Sequence, residues 1–306
     1  MHSRKLLLSF LPLLITAPMW AQPKSVAERL GYPADTKLLI IHADDLAVAH
    51  SVDLAAFDAL DKGAVTSASI MVPCPWLTEV ANYAKTHAEA DLGLHLTLTS
   101  EWKTYRWGSV APSDKVASLL DPAGTFWSDT QPVAQHDKAD QVELELRAQV
   151  ERALAVGIHP THLDTHMGSV AASPDIFAAY VRVAHDYHLP FLAVKIPGAE
   201  QLLSALSEKD VVLDSIVIAN PTVHTDQWKE FYLNAIKHLK PGFHEMIVHL
   251  GYDNAELQAI TVDHPDFGSA WRQRDFDVVT SAEFRQALKD NHVTLVKWKD
   301  LRKLVQ

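Results

Sequence analysis

The apolar residues of this chain follow two alternating patterns, short continuous runs and longer segments with helical spacing. The run that follows Lys37, up to Ile41, has no polar alternation, which is typical of a strand buried on both faces of a parallel sheet. Val52 to Leu60 carries apolar residues at i, i+3, i+4, i+7 and i+8 and predicts an amphipathic helix. Further strands are predicted at 64–72, 92–98, 161–166, 191–196, 211–218, 245–250 and 293–298. Further helices are predicted at 76–87, 139–156, 174–187, 200–206, 228–239 and 280–290.

This alternation predicts an α/β fold. Seven or eight strands separated by helices favour a (β/α) barrel in a single domain, because right-handed crossovers leave few other arrangements. A doubly wound open sheet is the alternative. Two segments between predicted elements are unusually long, residues 101–136 (the first long connection) and 252–279 (the second long connection). Loops of such length are usually functional or disordered, so both are candidates for the substrate site.

The N-terminal residues have the order of a secretory signal peptide. Positively charged residues precede an apolar run from Leu6 to Trp20, and the small residue Ala21 follows. We predict a signal peptide over 1–21, a polar leader over 22–36 and the barrel domain over 37–306. The protein is then periplasmic or secreted, with no stable membrane span after removal of the signal. An uncleaved membrane anchor is the alternative, although the run is short and interrupted.

The charge and the cysteine content narrow the function further. A formal net charge of -11, with no basic block, argues against a nucleic-acid partner. The single cysteine, Cys74, cannot form an internal disulfide and is expected to be a buried thiol. The 17 histidines are candidates for metal binding and for acid/base catalysis. The sequence leaves the oligomeric state open.

Side chains that can bind a metal lie at the ends of three predicted strands, where parallel α/β folds collect their ligands. They are Asp44 and Asp45 on the first strand, His95 on the third, and His162, Asp164 and His166 on the fourth. Because residues two apart in a strand share a face, the last three are expected to point the same way. Taken singly, the Asp pair could be turn residues and His95 a core histidine. Together, an Asp and two His from separate strands suit a catalytic metal with open positions.

Four motifs in this order resemble the YdjC-like carbohydrate deacetylases, which include chito-oligosaccharide deacetylases. They are Ala43-Asp44-Asp45, Gly63 to Ser69, Leu92 to Leu96 and Pro160 to His166. The resemblance runs from about Lys37 to Pro174, with a weaker echo at 245–251. Two departures stand out. Met167 to Val170 replaces a run of further histidines, and Leu250 replaces the usual proline.

The resemblance implies a barrel of deacetylase type with one divalent metal ion, zinc or magnesium. Carried over, the metal ligands are Asp45, His95 and His166. The general base is Asp44, and the general acid is His249. Consecutive strand residues point apart, so we expect Asp45 to bind the metal while Asp44 approaches the water. The metal would lower the pKa of the attacking water and stabilise the tetrahedral oxyanion.

The implied function is removal of N-acetyl groups from an amino-sugar oligosaccharide or a related small carbohydrate. Hydrolysis of another carbohydrate ester or amide is one alternative, and a catalytically silent glycan-binding barrel is another. His162 and Asp164 are expected to orient His166 or the substrate. Four residues in or beside the second long connection could contact sugar hydroxyls or be solvated surface residues: Tyr252, Asp253, Arg272 and Arg274. Aromatic residues that could stack on sugar rings, or simply fill the core beneath a loop, are Trp102, Tyr105, Trp107, Phe126 and Trp127.

Overall fold

The structure is a computed structural model that describes residues 24–195, 197–198 and 200–305. The predicted signal peptide, residues 1–21, lies outside the described residues, as does the choice between a cleaved signal and an anchor. The described part of the predicted leader contains a short helix, and its Ala27 packs into the smaller of two apolar clusters. Within the described ranges, no helix has both the length and the apolar character needed to cross a bilayer.

Parallel strands form one sheet in the described part of the chain. The strands are β1 Lys37–Leu46, β2 Ser67–Ile70, β3 Leu92–Leu96, β4 Leu163–Thr165, β5 Ser215–Ile218, β6 Gly242–Val248 and β7 Val293–Leu295. Their order is β4-β3-β2-β1-β6-β5, and β7 pairs with the first residues of β1. All ladders are parallel, so the carboxyl ends of the strands meet at one edge.

Helices connect most of these strands. They are α1 Val26–Leu30, α2 His50–Asp61, α3 Leu77–Thr86, α4 Thr130–His136, α5 Ala139–Ala155, α6 Pro174–Asp186, α7 Glu200–Leu203, α8 Trp228–His238, α9 Ala255–Ile260, α10 Ser269–Val279, α11 Ala282–Asp290 and α12 Trp298–Val305. The predicted helices all form, although the one at 200–206 is shorter than expected. The long connections contain helices that local periodicity did not predict, α4 in the first and α9 and α10 in the second.

The α/β class and the parallel sheet are confirmed, whereas a closed barrel of seven to eight strands is not. Between β4 and β5 the described residues make only isolated bridges, Leu163 to Phe191 and Val194 to Leu213, in place of a regular ladder. The predicted strand at 191–196 is therefore wrong as a regular strand. Pro190 and Pro197 flank this segment, and proline has no N–H to donate to a ladder. The sheet is best described as a half-barrel.

Strand β1 is buried on both faces, as predicted. Leu39 and Ile41 belong to the larger apolar cluster, and Leu38 and Ile40 belong to the smaller cluster on the opposite face. All four side chains are fully buried, and each such burial contributes about 1.5–3 kcal/mol to folding. Cys74 is a buried free thiol, as expected. The buried strand at the centre of the sheet therefore carries the two aspartates at its carboxyl end.

Candidate active site

The two aspartates at the end of β1 turn to the same side. Asp45 has φ 73° and Ala47 has φ 76°, and the register with β2 shifts between Ala43 and Leu46. Asp tolerates this left-handed conformation better than most residues. As a result Asp44 Oδ2 lies 3.7 Å and Asp45 Oδ1 3.4 Å from His95 Nε2. The expectation that alternation would point the two carboxylates apart is wrong here, because the pleat is interrupted between them.

One oxygen and two nitrogens converge beside this turn. Asp45 Oδ1 lies 3.4 Å from His95 Nε2 and 3.3 Å from His166 Nδ1, and all three side chains are buried. Among the described residues, Asp45 Oδ1 has no hydrogen-bond donor. An unpartnered buried oxygen beside two imidazole nitrogens is a donor set that suits a divalent metal ion. The structure thus brings together the three residues predicted as ligands; their binding of a metal remains a prediction.

Each of the two histidines has a carboxylate on its other ring nitrogen. His95 Nδ1 lies 2.8 Å from Asp164 Oδ1, and His166 Nε2 lies 2.9 Å from Glu101 Oε2. Such carboxylates fix the tautomer and the orientation of metal-binding imidazoles. Asp164, expected to orient His166 or the substrate, contacts His95 instead. Glu101 was missed by sequence reasoning, and its one signal was its place at the start of the first long connection.

Arg272 lies against the cluster formed by Asp45, His95 and His166, and its side chain also lines the cavity that these three residues line. Its Nη2 donates to Asp45 Oδ2 at 2.7 Å, its Nε donates to the carbonyl of Phe267, and both Arg272 and Asp45 are buried. Burial alone would raise the pKa of Asp45, but the Arg272 guanidinium and the neighbouring His166 hold it well below its ordinary value. Asp45 is therefore a permanent carboxylate.

The predicted base and acid face each other across the cluster. His249 Nε2 lies 3.8 Å from Asp44 Oδ2 and 4.0 Å from Asp45 Oδ2. Burial, partly offset by His95 and His42, raises the pKa of Asp44 to about 6. Burial, with the charge of Arg272 added, lowers the pKa of His249 to about 3. Near neutral pH Asp44 is mostly ionised and His249 is neutral.

Asp275 holds the backbone that carries His249, and sequence reasoning missed it. Its Oδ2 accepts the His249 backbone N–H at 2.9 Å, and its Oδ1 accepts from Trp228 Nε1 and the Tyr232 hydroxyl at 2.8 and 2.7 Å. The buried carboxylate thereby joins the end of β6 to α8 and α10. No local pattern marks Asp275, because its partners lie on other elements.

His162 and Tyr252, expected beside the ligands or the substrate, do not line the cavity. The His162 ring is fully buried and stacks on Trp298 at 5.0 Å with an interplanar angle of 14°. A Cβ added at Gly93 would lie 2.3 Å from His162 Cε1, so glycine is required at that position. The Tyr252 hydroxyl donates to Asp58 Oδ2 at 3.0 Å. His162 therefore packs in the core, and Tyr252 packs against α2.

The predicted stacking aromatics of the first long connection also lie outside the cavity. Trp102 and Trp107 pack edge to face at 5.6 Å, and Trp107 Nε1 donates to the carbonyl of Thr99. Phe126 is fully buried, and Trp127 stacks on His136 at 4.6 Å. The alternative that these residues fill the core is the one the contacts favour. Of the remaining candidates, Arg274 lies over the Trp228 ring, and neither it nor Asp253 lines the cavity.

A cavity of about 520 Å³ opens over the cluster and has two chemically different sides. The polar residues that line it are Asp44, Asp45, His95, Glu101, Thr165, His166, His249, His264, Asp266 and Arg272. The apolar residues that line it are Met167, Leu192, Ile216, Ile218, Pro221, Ile247 and Phe267. An apolar wall with a few convergent polar groups is the usual composition of a small-molecule site.

His42 was missed by sequence reasoning and lies directly below the cluster. Its Nε2 is 2.8 Å from Asp164 Oδ2 and 3.3 Å from Asp44 Oδ1. Burial would lower the pKa of His42, but the hydrogen bond to Asp164 and the nearby carboxylates, including Glu245, raise it to about 10. Its signal was available in the sequence, because His42 stands two residues before Asp44 and so shares its face of β1.

Comparison with known proteins agrees with the motifs. Residues 38–290 match the family model described as YdjC-like protein. A carbohydrate deacetylase of Thermus thermophilus is 31% identical over 282 residues, which cover 90% of this chain and 97% of that protein. A chitooligosaccharide deacetylase of Yersinia enterocolitica is 30% identical over 157 residues, which cover 50% of this chain and 58% of that protein.

A solved structure supports the fold. The crystal structure of a proposed cellobiose-phosphate cleavage protein of Enterococcus faecalis V583 aligns with a TM-score of 0.74 and 22% identity, covering 87% of this chain and 99% of that chain. At this identity the likeness concerns the fold alone. The family model spans most of the chain, and the Thermus relative is similar over nearly its full length. The chain therefore belongs to the YdjC-like protein family.

Proposed function

We propose that this protein is a metal-dependent carbohydrate deacetylase that removes N-acetyl groups from an amino-sugar oligosaccharide or a related glycan. The observation that carries the proposal is the convergence of Asp45 Oδ1, His95 Nε2 and His166 Nδ1, with Asp44 and His249 beside them, at the floor of one cavity. Relatives described as carbohydrate deacetylases support the substrate class.

Asp45, His95 and His166 would hold a divalent ion, zinc or magnesium. The fit rests on the unpartnered Asp45 Oδ1 and on two imidazoles whose other nitrogens are already held by Asp164 and Glu101. When bound, such an ion supplies Lewis acidity, which polarises an amide carbonyl and lowers the pKa of the attacking water. The Arg272 guanidinium on Asp45 Oδ2 leaves Oδ1 free for this role.

Asp44 is proposed as the general base. With its pKa raised to about 6, it is mostly ionised at neutral pH and still basic enough to accept a proton from water. As Asp44 takes this proton, the water oxygen bonds to the carbonyl carbon and gives a tetrahedral intermediate. Collapse of that intermediate breaks the C–N bond and releases acetate, provided that the leaving nitrogen receives a proton.

His249 is proposed to deliver that proton. Its pKa near 3 means that the resting imidazole is neutral, so it must first take up a proton during the reaction. The nearer carboxylate is Asp44, whose Oδ2 lies 3.8 Å from His249 Nε2. The proton that Asp44 accepts from water can therefore pass through His249 Nε2 to the amine. No net proton is gained or lost by the two side chains in one turnover.

The apolar side of the cavity is proposed to contact the C–H face of a sugar ring. His264 and Asp266 on the second long connection are proposed to contact the hydroxyl groups of the sugar.

Periplasmic or secreted localisation remains part of the proposal, and rests only on the order of residues in the N-terminal 21 positions. The alternatives are hydrolysis of another carbohydrate ester or amide, and glycan binding without turnover.

Acetate release from a panel of substrates tests the proposal. Chelator-stripped protein would be assayed on chito-oligosaccharides and on O-acetylated xylo-oligosaccharides, before and after addition of Zn²⁺ or Mg²⁺. We expect acetate from the N-acetylated sugars only after metal addition. Release from the O-acetyl esters alone would favour the esterase alternative. Glycan binding with no acetate release from any substrate would favour the alternative of a glycan-binding protein without turnover.

Two variants separate the roles within the cluster. Asp44→Asn should retain metal and abolish turnover, because the amide cannot accept the proton. His166→Ala should lose both metal and turnover. Full activity in Asp44→Asn would show that the base has been assigned to the wrong residue.

A further inference from the structure

His42 lies between two carboxylates that serve different parts of the site. Its Nε2 is 3.3 Å from Asp44 Oδ1, whereas the other oxygen of Asp44 faces His95 and His249. The same Nε2 is 2.8 Å from Asp164 Oδ2, while Asp164 Oδ1 lies 2.8 Å from His95 Nδ1. A single imidazole N–H therefore contacts both the proposed base and the carboxylate behind a proposed metal ligand.

The surroundings of His42 hold its ring in one orientation. The residue is 1% exposed, and the His162 ring lies edge-on at 5.1 Å. On the other side of the ring, His42 Nδ1 is 3.7 Å from Glu245 Oε1, which accepts a hydrogen bond from Trp298 Nε1 at 2.7 Å. Ser69 Oγ lies 3.0 Å from His42 Nε2 and 3.2 Å from His95 Nδ1, so the hydroxyl contacts both histidines.

Removal of this donor would leave two buried carboxylates facing each other. Asp44 and Asp164 are 6% and 3% exposed, so water compensates little for a lost partner. Like charges at short range repel, and Asp164 can relieve the repulsion only by leaving His95. A change at His42 is thus transmitted both to Asp44 and to His95.

We propose that His42 is a positioning residue, an inference that rests on the proposed function. Its Nε2 fixes Asp44 and Asp164 relative to each other, and so fixes the general base relative to the metal-facing nitrogen of His95. Nothing in the arrangement requires His42 to touch the substrate or the reacting atoms. It acts through two carboxylates, one of which activates water and the other of which orients a ligand.

The experiment compares His42→Leu, which has no donor, with His42→Gln, whose amide nitrogen reaches the place of the imidazole Nε2. His244→Leu is the matched control. His244 is also a buried histidine of the sheet, 4% exposed, but its partners are Ser215 Oγ and the Lys240 carbonyl, away from the cluster. For each variant, Zn²⁺ affinity of the stripped protein is measured by chelator competition, and kcat and KM are measured with saturating Zn²⁺.

We expect His42→Leu to lower kcat about 10- to 100-fold and to weaken Zn²⁺ binding about 10-fold, with KM changed less than about threefold. His42→Gln should restore kcat to within about fivefold of the wild type. His244→Leu should lower the Tm while leaving kcat and Zn²⁺ affinity unchanged. A purely structural role would instead give His42→Leu the pattern of His244→Leu.

The proposal is overturned if His42→Leu keeps wild-type kcat and Zn²⁺ affinity, or if His42→Gln is as defective as His42→Leu. Failure of the proposed function looks different. In that case the wild-type protein releases no acetate from any N-acetylated sugar, and the Zn²⁺ affinities of the two His42 variants still decide whether the donor positions His95.

Discussion

The two long connections contribute very differently to the cavity, although both leave strands that end at it. The first was expected to supply aromatic stacking residues. Among the described residues, however, Glu101 is the one residue of this connection that lines the cavity. The second supplies His264, Asp266, Phe267 and Arg272. The kinds of side chain in a loop are therefore a weaker guide to a binding role than the part of the fold against which the loop packs.

The first long connection is fastened to the helix layer. Glu145 of α5 accepts the backbone N–H groups of Val110 and Ala111 at 3.0 and 2.8 Å, and also an amide hydrogen of Gln149. With its backbone held there, Trp107 fills space beneath the connection and does not reach the cavity. Trp102, Trp107 and Phe126 are therefore core residues, whereas Tyr105 and Trp127 are half-buried and pack against the core.

The second long connection folds into helices that carry buried charge. Arg272 and Asp275 lie three residues apart on α10 and so share a face. One donates to Asp45 and the other accepts from the backbone of His249. The connection thus organises two of the proposed catalytic strands, β1 and β6, from outside the sheet.

Arg272→Met should produce the largest effect, because it leaves Asp45 charged, buried and without its guanidinium. We expect the free energy of unfolding of the stripped protein to fall by about 3–5 kcal/mol, measured by urea denaturation. Saturating Zn²⁺ should recover part of the loss by supplying a positive charge at Asp45. Arg274→Met on the same helix, which loses the contact of the guanidinium with the Trp228 ring, should cost about 1 kcal/mol. Equal losses in the two variants would contradict the special role of Arg272.

Glu101→Gln tests the one contribution of the first long connection to the site. Loss of the carboxylate on His166 Nε2 should weaken Zn²⁺ binding about 10- to 100-fold in chelator competition, with little change in stability. Glu79→Gln is the control, because Glu79 makes a similar contact with His50 Nδ1 at 2.8 Å away from the cavity. Unchanged affinity in Glu101→Gln would mean that this connection is wholly structural.

Asp137→Asn tests the stability of the first long connection where it meets α5. Burial raises the pKa of Asp137 to about 8 from an ordinary value of 3.8, and its carboxylate oxygens have no donor among the described residues. The folded state therefore disfavours the ionised form, and wild-type stability falls as pH rises from about 4 to about 8. The variant should lack this slope and be more stable than the wild type at pH 8. Parallel curves of unfolding free energy against pH would refute the assignment.

The smallest expected effects come from a paired comparison of Trp107→Phe and His264→Ala. Trp107→Phe loses the hydrogen bond to the Thr99 carbonyl, so stability should fall by about 1 kcal/mol with KM unchanged. His264→Ala should raise KM a few-fold, about the loss of one weak hydrogen bond, with stability unchanged. If Trp107→Phe instead raised KM, the first connection would contact substrate after all.

Much of the fold and part of the site could be predicted from local pattern. An unbroken apolar run predicts a strand buried on two faces, and β1 packs into both apolar clusters. The two-residue spacing of His162, Asp164 and His166 predicts that they share one face of the strand. It does not predict how far each side chain lies from the cavity. At about 3.3 Å per residue the three side chains reach different levels, from the core beside Trp298, through His95, to the cavity floor.

The irregular parts of the sheet could not be predicted in this way. The left-handed conformation of Asp45 and the missing ladder after Pro190 both break the period on which such predictions depend. Their consequences are large. The first turns both aspartates into the cavity, and the second places Leu192 on its apolar wall.

Sequence alone was thus enough for the α/β class, the strand-end positions of the candidate ligands and the family. These follow from side-chain direction and from the common edge of parallel strands, which are local and general properties, and from the motifs. Only the packing of the folded chain shows that Glu101, Arg272 and Asp275 hold the cluster, and that His42, which shares a face of β1 with Asp44, also contacts Asp164. Those contacts join residues up to 227 positions apart, and a hydrogen bond between distant elements is set by how the elements pack, which no local period records.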